Sequence, residues 1–155
     1  MVGVVSDVSG MPIGIHRTFL TDDGRKAPVD PVRLTYGPIG GGAVRLGVDS
    51  ETIIVAEGIE SAIGAAMQIS GVESAVPWAA LSTGNMQRLN IPRSVKHVVI
   101  ARDNDPRNRF GKRPGLDAAV QLRARIKALQ LSQDRRIRVA IIAPPHGRSD
   151  YADFG

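Results

Sequence analysis

Two apolar runs, Ile53-Ile54-Val55-Ala56 and Val98-Val99-Ile100-Ala101, each lead into acid: Glu57 closes the first, and Asp103-Asn104-Asp105 follows the second after Arg102. Runs this short and this apolar read as strands buried on both faces, as in a parallel sheet covered by helices. The flanking segments agree. Ile53–Glu57 reads as a strand and Ile59–Ile69 as a helix, with Ile59, Ala62, Ile63, Ala66 and Met67 on one face. Val76–Leu81 follows as a strand, then a short helix over Met86–Leu89 that ends before Pro92, then a strand over Val95–Asp103. A long helix over Leu116–Leu131 and a strand over Arg138–Ala143, stopped by Pro144-Pro145, complete the pattern. Such alternation predicts an α/β fold with a four-stranded parallel sheet flanked by helices. Ligands of these sheets bind beyond the carboxyl ends of the strands. Glu57, the Ser82–Asn85 turn, Asp103, Asp105 and the stretch up to Asp150 would share that rim.

The first 50 residues differ. Val2–Val8, Gly14–Leu20 and Ala43–Val48 are strand-like, Asp23-Gly24 marks a turn, and Pro28, Pro31 and Pro38 exclude a helix. Residues 1–50 therefore read as a β-rich extension, an antiparallel meander or lid, before an α/β domain over residues 51–155. The whole chain has 155 residues and is 43% hydrophobic but only 4% aromatic, so Val, Ile, Leu and Ala must build the core. Trp78, within an apolar run, reads as part of it. Cysteine is absent, which excludes disulfides and Cys-based zinc sites. No apolar stretch nears the roughly 18 residues of a membrane span, and the N-terminus does not resemble a signal peptide, so a cytoplasmic location away from membranes is expected.

Asp103 and Asp105 stand two apart, and in an extended chain their side chains share a side, roughly 7 Å apart at Cα. Pro106 favours that extended geometry. Two such carboxylates repel each other, and a divalent cation relieves the repulsion; Mg²⁺ takes one or two carboxylates together with water and phosphate oxygens. The same four residues also suit an Asx turn. Glu57 is a poor helix cap, which points to an acid–base or metal-binding role, although a first-turn acid also gains from the helix dipole. Gly58 would admit close backbone approach. Glu60 reads as a first-turn acid. Ser82, Gly84 and Asn85 either cradle a phosphate or form a plain turn. Asp150 and Asp153 either extend the acidic cluster or lie in a solvated tail. Residues 102–136 carry ten of the 20 Lys and Arg residues against four acids, suited to a polyanion or to a solvated helix. No P-loop, no hydrolytic triad and no His ligand spacing among His16, His97 and His146 is present.

Val55-Ala56-Glu57-Gly58-Ile59-Glu60-Ser61-Ala62, Trp78-Ala79-Ala80-Leu81-Ser82-Thr83-Gly84-Asn85 and Ile100-Ala101-Arg102-Asp103-Asn104-Asp105 together resemble the Toprim domain. The likeness is to the form in primase-like proteins of phages, plasmids and other mobile elements, and it covers about residues 50–150. Residues 13–48 resemble the β-rich lead-in of that group. The resemblance implies Glu57 as general acid or base, Asp103 and Asp105 as Mg²⁺ ligands (Mn²⁺ can replace Mg²⁺), a further acidic motif near Asp150, and Gly58 as support for a tight turn. It departs from such primases in lacking a Cys-rich zinc module and a helicase motor. Neither Tyr36 nor Tyr151 is marked as a topoisomerase nucleophile.

The expectation is thus Mg²⁺-dependent nucleotidyl transfer by a primase-like module of DNA replication. Glu57, Asp103, Asp105 and Asp150 would surround the metal, and Arg102, Arg107, Arg109, Lys112 and Arg113 would contact phosphates of DNA or RNA. Nucleotides would be substrates, and a helicase or another replication domain a partner. The alternatives are a Toprim nuclease and a non-catalytic DNA-binding domain. A phosphoribosyltransferase-like fold fits less well, because Pro106-Arg107-Asn108-Arg109 follows the acids in place of small residues and Thr.

Overall fold

Eight strands form one continuous mixed sheet in a computed structural model that describes residues 1–69, 71 and 74–152. The strands are β1 (Val2–Ser6), β2 (Pro12–Thr18), β3 (Arg33–Tyr36), β4 (Ala43–Arg45), β5 (Thr52–Ala56), β6 (Val76–Ala79), β7 (His97–Ala101) and β8 (Arg138–Ile142). The helices are α1 (Ile59–Gln68), α2 (Thr83–Met86) and α3 (Pro114–Gln133). Across the sheet the order is β3-β2-β1-β4-β6-β5-β7-β8.

The expected parallel half is present as β6-β5-β7-β8. Its strands alternate between two cores. Ile53 and Val55 face α2 and α3 with Trp78, Met86, Ala118, Leu122 and Ile126, while Ile54 and Ala56 face α1 with Ile59, Ala62 and Ala65. Strands buried on both faces need no polar alternation, which is why their sequences read as plain apolar runs. The helical face expected for α1 needs correction. Ile63 is 39% and Met67 71% exposed, because α1 sets its smaller Ala62 and Ala65 against the sheet.

The β-rich region is not a separate lid but the continuation of the sheet. β4 pairs antiparallel with β1 on one side and with β6 on the other, Val44 lying opposite Ala79. β3 was hidden between Pro31 and Pro38; it pairs with β2 through Thr18 opposite Arg33 and His16 opposite Thr35. Paired residues share a face. In β1, Gly3 and Val5 are buried whereas Val2 and Val4 are exposed. A Cβ on Gly3 would sit 3.1 Å from Ile59, so this face is turned toward α1. His16, the partner of Gly3, and Thr35 beyond it share that face, as does Arg33 two residues before Thr35. The short helix begins three residues before its expected start because Ser82 caps it, its hydroxyl accepting the Asn85 N–H at 3.1 Å. Among the described residues no helix is long and apolar enough to cross a membrane.

Candidate active site

Sheet register decides which acids can meet. Val55 lies opposite Ile100 in parallel strands, so the chains leaving Ala56 and Ala101 emerge side by side. Backbone bonds stitch the other exits to them. The Leu81 N–H donates to the Glu57 carbonyl at 2.7 Å, the Arg102 N–H to the Ile142 carbonyl at 3.1 Å, and the Asn104 N–H to the Ser149 carbonyl at 2.6 Å. The last bond brings Asp150 back to the rim. Tyr151 anchors it there: its side chain is buried among the α1-side core residues, and its carbonyl accepts from Gln68 Nε2 of α1 at 3.0 Å. That burial removes Tyr151 from consideration as a nucleophile and raises its phenol pKa. Leu81 holds φ +71°, a left-handed conformation that costs a non-glycine residue about 1–3 kcal/mol.

A cleft of about 640 Å³ opens over this rim. Glu57, Glu60, Asp103 and Asp150 line it together with His16, Arg25, Lys26 and Arg33, the acids coming from the parallel half and the basic residues from the β-rich region. Burial, then the charges of Glu57, Asp105 and Asp150, push the Asp103 carboxyl up to about 7, with Arg33 opposing them. Burial and then Asp105 raise Glu57, against Arg33 and a backbone hydrogen bond from Thr83. Three sequence-distant segments therefore converge electrically on Asp103.

Asp103 Oδ1 is buried without a hydrogen-bond partner. A buried acceptor with no donor costs about 1–3 kcal/mol, and a cation at that atom would remove the penalty. Among the described residues no three His, Cys, Asp or Glu are gathered tightly enough to cage an ion. Mg²⁺ does not need a cage, since it keeps several waters and binds through one or two carboxylates plus substrate phosphates. An orphaned carboxylate oxygen amid further acids therefore fits the metal that the sequence pattern implies.

Asp105 does not line the cleft. It is tucked between the rim and the N-terminus of α3, where a Cβ added to Gly115 would come within 3.2 Å of its Oδ2 and 3.3 Å of the Asp103 carbonyl. Only a glycine lets the helix approach this closely without displacing the rim. Pro114 starts α3 with its φ already helical, and the helix N-terminus favours a nearby negative charge. Gly58 shows no such need. Its φ of −95° and ψ of 160° suit any residue, and a Cβ there would make ordinary contacts, so the two-residue bend from β5 into α1 does not depend on a glycine.

The turn after β6 contributes Leu81 to the cleft lining. The buried Asn85 is saturated as a brace: Oδ1 accepts the Gly41 N–H at 2.8 Å, and Nδ2 donates to the carbonyls of Gly42 at 2.9 Å and Ala80 at 2.8 Å. Ser82 serves as the α2 cap, and Gly84 lies within that four-residue helix. Arg102 donates to the Asp103 carbonyl at 3.1 Å and so holds the rim's backbone. Arg107, Arg109, Lys112 and Arg113 are exposed on the loop after Asp105 and do not line the cleft. Asp153 and Phe154 lie outside the described residues.

Sequence reasoning missed the basic residues that share the cleft with the acids. Arg33 lies 3.4 Å from Glu60 Oε1. His16 is 7% exposed, its Nδ1 is 2.8 Å from Thr35 Oγ1, and burial and then Arg33 lower its pKa. Only the strand pairing of β2 with β3 brings them here, and no local motif announces it.

Residues 52–154 match the model of the Toprim domain, and residues 1–46 match that of a domain of unknown function (DUF7146). No curated protein and no solved structure matches the chain. The Toprim match spans well over half of the chain and takes in every acid of the rim, so the chain belongs to the Toprim family, whose domains bind divalent metal ions and serve nucleic-acid enzymes or nucleic-acid binding.

Proposed function

We propose that this chain is a primase-like Toprim module that performs Mg²⁺-dependent nucleotidyl transfer in DNA replication, with nucleotides and a nucleic-acid strand as substrates. The observation that carries the reading is the mixed lining of one cleft: acids, with an orphaned Asp103 oxygen among them, share it with Arg25, Lys26 and Arg33. A cleft of about 640 Å³ is large enough for a nucleotide.

Asp103, with Glu57 and Asp150 beside it in the cleft and Asp105 behind the rim, would hold Mg²⁺ or Mn²⁺. When bound, the ion supplies charge neutralisation and polarises a phosphoryl oxygen. The chain's own residues do the rest. Arg33, Lys26 and Arg25 bind phosphate oxygens within the same cleft as the acids. Glu57, its carboxyl raised by burial and so made more basic, is suited to take a proton. It accepts that proton from an attacking hydroxyl. The hydroxyl oxygen bonds to the α-phosphorus, the bond to the bridging oxygen breaks, and pyrophosphate leaves. Arg107, Arg109, Lys112 and Arg113 hold the strand's backbone outside the cleft.

The test is product formation from labelled nucleoside triphosphates on single-stranded template with Mg²⁺, beside plasmid incubated without nucleotides. Nucleotide-dependent product, lost in Asp103→Asn and Glu57→Gln at unchanged fold, is expected. Cleavage without nucleotides replaces the reading with a nuclease. Variants as active as the parent end it.

A further inference from the structure

The loop that carries the chain from the acidic rim to α3 does more than hold charge. At its tip Phe110 is 70% exposed, a large ring with no core to enter. The loop around it is well braced. Asn108 Oδ1 accepts the N–H groups of Phe110 at 2.9 Å and Lys112 at 3.0 Å. The Asn108 N–H donates to the Lys112 carbonyl and the Gly111 N–H to the Asn108 carbonyl, both at 2.8 Å. Arg107 closes the loop through the Gly111 carbonyl at 2.8 Å, and Gly111 takes φ +72°, a conformation natural to glycine. These bonds hold the ring outward instead of letting it fold back. The Arg109 guanidinium stands 4.8 Å from the ring centroid.

The charge around the ring selects its partner. None of Arg107, Arg109, Lys112 and Arg113 belongs to the ion pairs found among the described residues. An apolar protein surface gains little from such a collar, whereas a polyanion with flat apolar faces uses both parts. Single-stranded nucleic acid is that polyanion: its phosphates meet the cations and its unpaired bases stack on aromatic rings. A duplex hides its base faces, so the ring has nothing to stack on there.

We infer that Phe110 is a stacking platform for an unpaired base, with Arg109 and its basic neighbours holding the flanking phosphates. The platform lies five residues past Asp105, within about 18 Å of the rim along the chain. It goes beyond the catalytic reading and needs neither metal nor turnover.

Binding of a fluorescein-labelled oligothymidylate to the whole chain, in EDTA and at several salt concentrations, tests it. Phe110→Ala weakens binding roughly tenfold or more with the salt slope unchanged. Arg109→Ala lowers that slope by about 0.7. Phe110→Trp keeps the affinity, and its emission is quenched on binding, over the constant background of Trp78, which is only 3% exposed. An oligonucleotide of abasic sites erases the difference between parent and Phe110→Ala. The inference is overturned if the parent does not bind, if Phe110→Ala binds like the parent, if the introduced tryptophan is not quenched, or if duplex shows the same dependence on Phe110. Loss of catalysis with this pattern intact would sink the nucleotidyl-transfer reading alone.

Discussion

The parallel half of the sheet is covered by helices on both faces, whereas the antiparallel half leaves Val2, Val4, Ile15 and Tyr36 open on one of its sides. The two halves contribute opposite charge to the cleft. Strands buried on both sides end in a partly desolvated rim, and desolvation is the largest cause of the raised pKa values of Glu57 and Asp103. The thinner half supplies Arg25, Lys26 and Arg33 from a loop and a strand, all three exposed. A deep core thus tunes acids toward proton or metal binding, and a shallow one supplies permanent cations. β4 makes one sheet of the two halves and so sets acids and cations across a single opening.

Removing an acid should break this opposition most severely. Glu57→Gln lowers turnover by about 10²–10⁴ while leaving nucleotide affinity close to the parent's. Asp103→Asn abolishes Mg²⁺ binding by calorimetry, yet its melting temperature in EDTA at neutral pH equals or exceeds the parent's, because a repelling charge has gone. A variant that loses stability instead would show that Asp103 serves the fold and not the site.

Among the cleft's basic residues the effect is smaller and differs in kind. Arg33→Ala weakens nucleotide binding by about tenfold, the worth of one charge-assisted contact. It also removes the cation that lowers both Glu57 and Asp103, so the acidic limb of the pH–rate profile moves to higher pH. Arg33→Lys restores most of the affinity and returns the limb toward its original position. An unshifted limb in the alanine variant would separate Arg33 from the acids.

Glu57 and Asp103 could be read from the chain in advance because each ends a run of apolar residues, and buried parallel strands write that signal locally. The cations could not. Arg33 sits in a four-residue strand whose exposure shows no apolar alternation, and its position depends on Thr18 fifteen residues earlier. The union of the two halves was equally hidden, since Val44 meets Ala79 across 35 residues of chain. Ile63 and Met67 misled for a related reason: helical periodicity reveals that a face exists, but the sheet chose the alanine side for closer packing. In the Ser82–Asn85 turn, a composition that suits a phosphate cradle turned out to contain a buried structural amide.

Proton linkage offers a smaller effect that still tests the convergence. Asp103 holds its proton up to about pH 7 when folded, against the ordinary 3.8 of a free aspartate carboxyl. Between those limits the folded state binds more protons than the unfolded state, so this residue makes stability fall as pH rises. In EDTA the parent should lose several degrees of melting temperature relative to Asp103→Asn between about pH 4 and pH 7. Mg²⁺ competes with that proton and should restore most of the loss above neutrality. Parallel curves for the two proteins would mean that neither burial nor the neighbouring acids raise Asp103.

The finest test lies at the seam between the rim and α3. Gly115→Ala improves helix propensity by up to about 1 kcal/mol, yet its Cβ would stand 3.2 Å from the Asp105 carboxylate and 3.3 Å from the Asp103 carbonyl. Those atoms must move a few tenths of an ångström, and they belong to the two acids assigned to the metal. Global stability should therefore change little, gain and strain offsetting each other, while Mg²⁺ affinity falls a few-fold. Nucleotide binding in EDTA, which depends on the cations of the other half, should not respond. If Gly115→Ala weakened both equally, the acid rim and the cationic wall would be one mechanical unit rather than two contributions meeting across a cleft.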